Sequence, residues 1–205
     1  MMTRRSWLKS LFQSQEDAIY FFGLQLIIKA FGEDTLRARL AAVINDPDGA
    51  QQDVAAKRRY IKRLVALLLE QRPYWHQVFW DYIAGRDQAE AEFDSWTAEL
   101  SAMMATEHEE IDQTVDGMFR LSHDKDYVAV TIALLLSEPY PPAEIEDESL
   151  FWRSETIAQL VNGLLYLNPE TILADAVFVI PGSPDDGLSE EDLMTGGWSY
   201  LRVLT

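Results

Sequence analysis

Apolar residues recur every three or four positions through the first two-thirds of the chain, a spacing that predicts amphipathic helices. The clearest helix spans about residues 52–72, where one face collects Val54, Ile61, Leu64, Val65 and Leu68. Other helices are predicted over about 15–31, 34–44, 88–104 and 106–118. The turn formers Gly32 and Asn45–Gly49 end the first two of these.

The segment that begins at Pro73 holds five aromatic residues within the nine positions 74–82. Proline suits the first turn of a helix, so we predict a helix here. Its shared face would be Trp75, Val78, Phe79, Tyr82 and Ile83. Trp80 points away from that face, which makes it either an interface residue or a residue covered by a neighbouring helix.

At Tyr127 the pattern changes to YVAVTIALLL, a β-branched and apolar run that predicts a buried strand. A second apolar strand is predicted at ADAVFVIP, residues 174–181, with a helix over 154–167 between the two strands. Ser189 and Asp192 fit a capping box that starts a last helix. If the two strands pair in parallel, the intervening helix covers one face of the sheet.

These elements predict an α+β fold, with mainly helical N-terminal two-thirds and a small C-terminal β-α-β-α sheet layer. Residues 1–12 form a separate basic segment in this interpretation. Residues 13–205 form one α+β domain, helical over about 13–120 and β-α-β-α over about 126–205.

The N-terminal stretch TRRSWLK resembles a twin-arginine export signal. Such a signal needs an uninterrupted apolar region, and Gln13, Gln15, Glu16 and Asp17 occupy its place. We therefore expect a cytoplasmic protein that is not exported by this route. The basic segment would dock on the domain or touch lipid headgroups.

Charge is distributed unevenly along the chain. The net charge is −17, yet residues 1–72 hold 12 basic and 8 acidic side chains, and residues 73–205 hold 5 and 26. Such an acidic chain is a poor partner for nucleic acid. Either the basic helices pack beside acidic ones, or the basic face meets an anionic partner or membrane. The candidate interaction residues are Arg4, Arg5, Trp7, Lys9, Arg59, Lys62, Arg63 and Trp80.

Chemistry-bearing motifs are few. The chain contains no cysteine, which excludes disulfides and thiolate catalysis. His108 and Asp112 lie one helical turn apart without further ligands, and the acidic loop 182–192 lacks the ligand spacing of an EF-hand. We find no phosphate-binding loop or nucleophile elbow. We therefore expect no catalytic residues, no metal and no cofactor.

Three stretches carry a family resemblance: DYVAVTIALLL, ILADAVFVIPGSPDDGLSEEDLM and WSYLRVL, within residues 126–204. Together they resemble an uncharacterised family of cyanobacterial and chloroplast proteins, domain of unknown function 1517. LLLEQRPYWHQVFWDY is similar to a further segment of that family. The resemblance implies a non-catalytic, thylakoid-linked role in light acclimation, and it carries over no catalytic residue.

From these features we expect a non-catalytic interaction or assembly and regulatory protein of a photosynthetic bacterium. Its partner would be a protein, with weak peripheral contact to an anionic membrane. The alternative is a small-molecule-binding or enzymatic domain. Its site would lie at the C-terminal ends of the two strands, near Pro139–Pro142 and Pro181–Gly187. The sequence leaves the oligomeric state open.

Overall fold

The computed structural model of the chain describes residues 18–30, 35–50, 53–113, 126–183, 186–195 and 198–205. Its strands are β1 (Tyr20–Lys29), β2 (Trp75–Ala84), β3 (Tyr127–Leu136), β4 (Ile172–Ile180) and β5 (Arg202–Val203). Its helices are α1 (Thr35–Ile44), α2 (Pro47–Ala50), α3 (Val54–Glu70), α4 (Arg86–Gln113), α5 (Ser154–Gly163) and α6 (Glu190–Thr195).

The strands form one antiparallel sheet in the order β4-β3-β1-β2-β5. β1 lies at the centre, where Leu24 pairs with Trp80 of β2 on one side and with Ile132 of β3 on the other. β4 and β5 are the two edges of the sheet, and β5 covers only a short part of β2.

Helices cover both faces of the sheet, giving three layers. The front face presents the even-numbered side chains of β1, such as Leu24, which pack with Leu40 of α1, Leu64 of α3 and Leu160 of α5. The back face presents Phe21 and Ile27, which pack against α4 and against the last residues of the chain. The main contacts there come from Trp96, Leu100, Trp198 and Leu201. β1 is therefore buried on both sides.

The predicted fold class is wrong, because the sheet is central and is built largely from the N-terminal two-thirds of the chain. Residues 20–29 and 75–84 were expected to be helical and are strands β1 and β2. β1 is apolar on both faces, so it lacks the alternation that identifies a half-buried strand. β2 has aromatic residues on both faces, with Trp80 on the front and Phe79 on the back, so its pattern fits a helix as well as a strand.

The pairing of the two C-terminal strands also differs from the parallel arrangement considered above. β3 and β4 form where the sequence indicated strands, but they pair antiparallel, with Ala133 opposite Ala176. Helices α1, α3 and α5 and the capping box at Ser189 are confirmed. In the last, the Ser189 amide donates to Asp192 Oδ2 at 2.7 Å, and the Asp192 amide donates to Ser189 Oγ at 3.1 Å.

Candidate interaction site

Two of the three predicted basic residues on α3, Arg59 and Arg63, are paired with acids of the same chain. Arg59 Nε lies 3.0 Å from Asp48 Oδ2, and an Arg63 guanidinium nitrogen lies 2.7 Å from Asp46 Oδ2. The hydrogen bond from Arg59 is the main reason that the pKa of Asp48 is lowered. Lys62 is exposed. Arg4, Arg5, Trp7 and Lys9 lie outside the described residues.

Trp80 does not belong to the surface, which corrects its assignment as an interaction residue. It is only 8% exposed, because it lies on the front face of β2 rather than on the outer side of a helix. Its Nε1 donates to the carbonyl of Phe151 at 3.0 Å, and the two rings meet edge to face at 5.1 Å. Phe151 thus covers it from within the same chain.

Other cations of the N-terminal half are paired as well. Arg39 binds Glu70, Lys57 binds Asp175 and Arg72 binds Glu155. The Lys57 and Arg72 pairs join the basic residues 1–72 to the acidic residues 73–205. This agrees with the interpretation that basic helices pack beside acidic parts of the same chain. Within the described ranges, none of the helices combines the length and apolar content needed to cross a bilayer.

The edge strand β4 has backbone groups directed away from the sheet. The Tyr127 amide and carbonyl bond to Leu188, on the β4 side of β3, whereas the Asp126 carbonyl accepts from Ala30 on the β1 side. Because backbone groups alternate sides along a strand, odd-numbered residues of β3 face β4. Their partners on β4 are the even-numbered Ala174, Ala176, Phe178 and Ile180.

It follows that Asp175, Val177 and Val179 direct their N–H and C=O groups away from β3. Asp175 and Val177 are half-buried, whereas Val179 is buried. We call these backbone groups, with the side chains of residues 172–180 beside them, the β4 edge. The first seven residues of β4 are half-buried or exposed, and Leu173 is 51% exposed. β3, by contrast, is almost wholly buried. In the described part of the chain, only β3 pairs with β4.

The β4 edge has one feature that protects natural edge strands, a register shift opposite Leu135 and Leu136 near its start, and it lacks several others. Lysine, proline and inward charges normally prevent an edge from pairing with another chain. β4 contains no lysine, arginine, proline or glycine, and its one charged residue is Asp175. Lys57 Nζ lies 2.9 Å from Asp175 Oδ1, so that charge is neutralised within the chain. From Ala174 to Phe178 the edge is therefore extended, and its one charge is paired within the chain.

A small cavity of about 100 Å³ lies beside the C-terminal end of the β4 edge, between α1 and α4. It is lined in part by Arg37, Asn45, Met104, Val177–Val179 and Pro181–Ser183. Pockets for small molecules usually start at about 300 Å³. This cavity is therefore smaller than a typical metabolite site.

A larger, open groove of about 610 Å³ lies between the end of α3 and the start of α5. Arg72 crosses this region, and its guanidinium donates to Ser154 Oγ at 3.0 Å and to Glu155 Oε1 at 2.7 Å. These contacts join α5 to the α3–β2 connection. The arginine therefore has a structural role in the groove.

The alternative small-molecule or catalytic site requires that the C-terminal ends of β3 and β4 lie close together. Because β3 and β4 are antiparallel, Pro139–Pro142 follows the end of β3 beside the start of β4, and Pro181 follows β4 beside the start of β3. The two segments lie at opposite ends of the strand pair and do not form one site.

A titratable cluster that the sequence did not indicate lies at one end of the sheet. The rings of His76 and Tyr127 stack with centroids 5.0 Å apart, and Lys29 Nζ lies 5.6 Å from the Tyr127 ring centroid. The Tyr127 hydroxyl donates to Glu190 Oε1 at 3.1 Å. Burial, reinforced by this hydrogen bond, raises the pKa of Tyr127, so its hydroxyl stays protonated and is a poor general base.

Among the side chains that the structure describes, no three His, Asp or Glu residues come together to hold a metal ion. The side chains of His108 and Asp112, and residues 184–185 of the acidic loop, lie outside that part.

The fold and the site together define a three-layer α/β/α protein whose antiparallel sheet offers one apolar edge strand for pairing. None of the family models, curated proteins and solved structures compared with the chain matches it.

Proposed function

We propose that this chain acts by binding rather than by catalysis, as an interaction or assembly protein that adds a strand of its partner to the β4 edge. The observation that carries the proposal is the outward backbone of Asp175 and Val177, on a strand whose one charge is paired with Lys57. Strand addition is a common way for proteins to bind extended segments of other proteins.

The energetics favour an apolar, extended partner segment. Each backbone hydrogen bond formed in place of bonds to water contributes about 1 kcal/mol. Leu173 offers apolar area at one end of the edge, and the cavity beside Val179 can accept a side chain at the other. The backbone bonds thus supply affinity, and these two contacts supply preference for particular side chains.

The charge of the chain favours a protein partner over nucleic acid or an anionic lipid surface. Five of the cations named above are bound to acids of the same chain, and the net charge is −17. Nucleic acid and strongly anionic lipid surfaces would be repelled. The cytoplasmic location, the weak membrane contact and the photosynthetic host stay predictions from the sequence.

A capture experiment with matched surface variants tests the proposal. Leu173→Lys adds a charge to the β4 edge, and Val203→Lys makes the same kind of change on β5, at the opposite edge, where Val203 is 60% exposed. Immobilised chains would be exposed to lysate of the native organism. We expect the same bound protein with the native chain and Val203→Lys, and its loss with Leu173→Lys.

Circular dichroism and thermal unfolding of all three chains would establish that each is folded. Equal capture by folded Leu173→Lys and Val203→Lys chains would contradict binding at β4. Loss of capture with Val203→Lys alone would place the binding site at β5, the opposite edge of the sheet.

A further inference from the structure

We propose that the small cavity between α1, α4 and the end of β4 binds the carboxylate group of a short monocarboxylic acid through Arg37. The inference goes beyond the proposed function and does not depend on strand addition at the β4 edge. Arg37 lies in the first turn of α1, is only 7% exposed and lines the cavity. A charge in such a position is screened by water much less than a charge on the surface, so it attracts an opposite charge more strongly.

The described lining of the cavity favours a negatively charged ligand. Arg37 is the only ionisable side chain among the described lining residues, and Asn45 and Ser183 add neutral polar groups. No carboxylate lies among those residues. An anion that enters the cavity would therefore meet one cation and two neutral polar side chains, without an acid of the described lining to repel it.

The guanidinium of Arg37 has the donor geometry that a carboxylate needs. Arginine carries five N–H donors in a planar fork, and two of them can bind the two oxygens of one carboxylate. Arg37 Nη2 donates to the Ala30 carbonyl at 3.5 Å, a contact that involves one of the five donors. Asn45 Nδ2 donates to the Ala41 carbonyl at 2.9 Å and carries a second N–H that can bind a ligand.

Size and wall chemistry limit the ligand to a short monocarboxylate. The volume of about 100 Å³ is the space of about three water molecules, at about 30 Å³ each. Acetate and propionate are ions of this size. Much of the remaining wall is apolar, with Ile44, Met104, Val177 and Pro181, and it suits the carbon end of such an acid. Phosphate would bring more oxygens against this wall, where polar groups without partners are costly to bury.

The cavity can be reached from solvent. Asn45 and Gly182 are exposed and Arg37 is buried, yet all three line the same space. A small acid can therefore pass between the end of α1 and the segment after β4 to reach the guanidinium. Bound there, it would lie against Val177–Val179 and change the environment of their backbone amides.

Titration with sodium acetate, followed by NMR of the backbone amides at about pH 7, where acetate is ionised, tests the inference. Acetamide has the same shape without the charge, and sodium chloride controls for ionic strength. Arg37→Met removes the cation, and Ala41→Leu fills the cavity while keeping the cation. Arg39→Met is the matched control, because it makes the same change at an exposed position of α1.

We expect saturable acetate-dependent shifts at Val177–Val179 and Gly182 in the native chain and in Arg39→Met. Binding should be at least about tenfold weaker in Arg37→Met and in Ala41→Leu. Circular dichroism would establish that each variant is folded, and Ala41→Leu keeps the test decisive if Arg37→Met does not fold. Equal responses to acetate and acetamide, undiminished affinity in the folded cavity variants, or tighter binding of phosphate than of acetate would each overturn the inference.

An acidic side chain of a strand at the β4 edge could present the same carboxylate group. Repeating the capture experiment with acetate in the buffer distinguishes this source from a free acid. Unchanged capture supports the free acid, whereas release of the captured protein by acetate and not by acetamide would assign the cavity to the partner's side chain and overturn the free acid. Failure of acetate to bind the isolated chain leaves strand addition standing, and failure of capture leaves the acetate site standing.

Discussion

Lys57 at the start of α3 and Asp175 in the middle of β4 form an ion pair across 118 positions of sequence, with Nζ 2.9 Å from Oδ1 and 3.0 Å from Oδ2. The same ammonium group donates to the carbonyl of Gly49 at 2.6 Å. This one contact anchors α3 to the edge of the sheet and neutralises the only charge of β4. The interaction surface proposed above therefore depends on a tertiary contact.

Replacing Lys57 with methionine should destabilise the protein by about 2 kcal/mol, because the Asp175 carboxylate would lose its cation in a largely buried position. The two side chains are 14% and 25% exposed. Arg39→Met is the control, since Arg39 and Glu70 are 45% and 55% exposed, and exposed pairs contribute under about 1 kcal/mol. Urea denaturation measures both losses. Equal losses would show that the Lys57 pair contributes no more than a surface pair.

Gly23→Ala should destabilise the centre of the sheet by about 1–3 kcal/mol, because a Cβ atom there overpacks the back face. That atom would come within 2.6 Å of Phe21 Cζ and 2.7 Å of the Trp96 ring. At Gly182 the nearest described atom, Met104 Cε, lies 3.4 Å from an added Cβ, so Gly182→Ala is the matched control. Thermal unfolding should show a clear decrease in Tm for Gly23→Ala alone. Unchanged Tm values for both variants would mean that β1 and α4 are further apart than described.

His76 should make the protein less stable as the pH falls through about 6.5. Burial is the main cause that lowers the pKa of His76, and Lys29 adds to it while Glu190 opposes it. The unfolded chain then binds the proton more readily than the folded chain, so acid favours unfolding below the ordinary pKa of 6.5.

The measurement for His76 is the urea midpoint of the native chain and of His76→Gln, from about pH 8 to about pH 5. The native chain should lose more stability than the variant. Taking the difference between the two chains cancels the contribution of carboxylates such as Asp81 to the pH dependence. Burial raises the pKa of Asp81, so its contribution to stability changes with pH in the opposite direction to that of His76. Parallel curves for the two chains would assign the pH dependence to other groups.

The sequence predicted elements well where one periodicity dominated. Ile61, Leu64, Val65 and Leu68 line one side of α3 because only that side meets the core, and the helix was predicted within two residues at each end. The capping box at Ser189 was recognisable because its partners are three residues apart. Both depend on local geometry, which sequence spacing encodes directly.

Elements defined by distant contacts were not predictable in the same way. Gln25 interrupts the apolar run of β1, but in the fold it is buried and accepts a hydrogen bond from the Tyr200 hydroxyl at 2.6 Å. Nothing near Gln25 in the sequence indicates that partner. Likewise, ADAVFVIP indicated a strand, but its position at the edge follows from the strand order, which long-range pairing decides.

The candidate site shows the same limit. Arg59 and Arg63 were correctly placed on the outer side of α3, yet the acids that neutralise them precede the helix in a separate turn. Trp80 was assigned to the wrong side of its segment because that segment is a strand. The β4 edge could be identified only after the sheet order and the Lys57–Asp175 contact were known.

Amide hydrogen exchange along β4, followed by NMR, tests the central claim most directly. The amides of Ala174, Ala176 and Phe178 should be protected by their bonds to β3, while those of Asp175 and Val177 exchange rapidly. Equal protection of all five amides would contradict an open β4 edge.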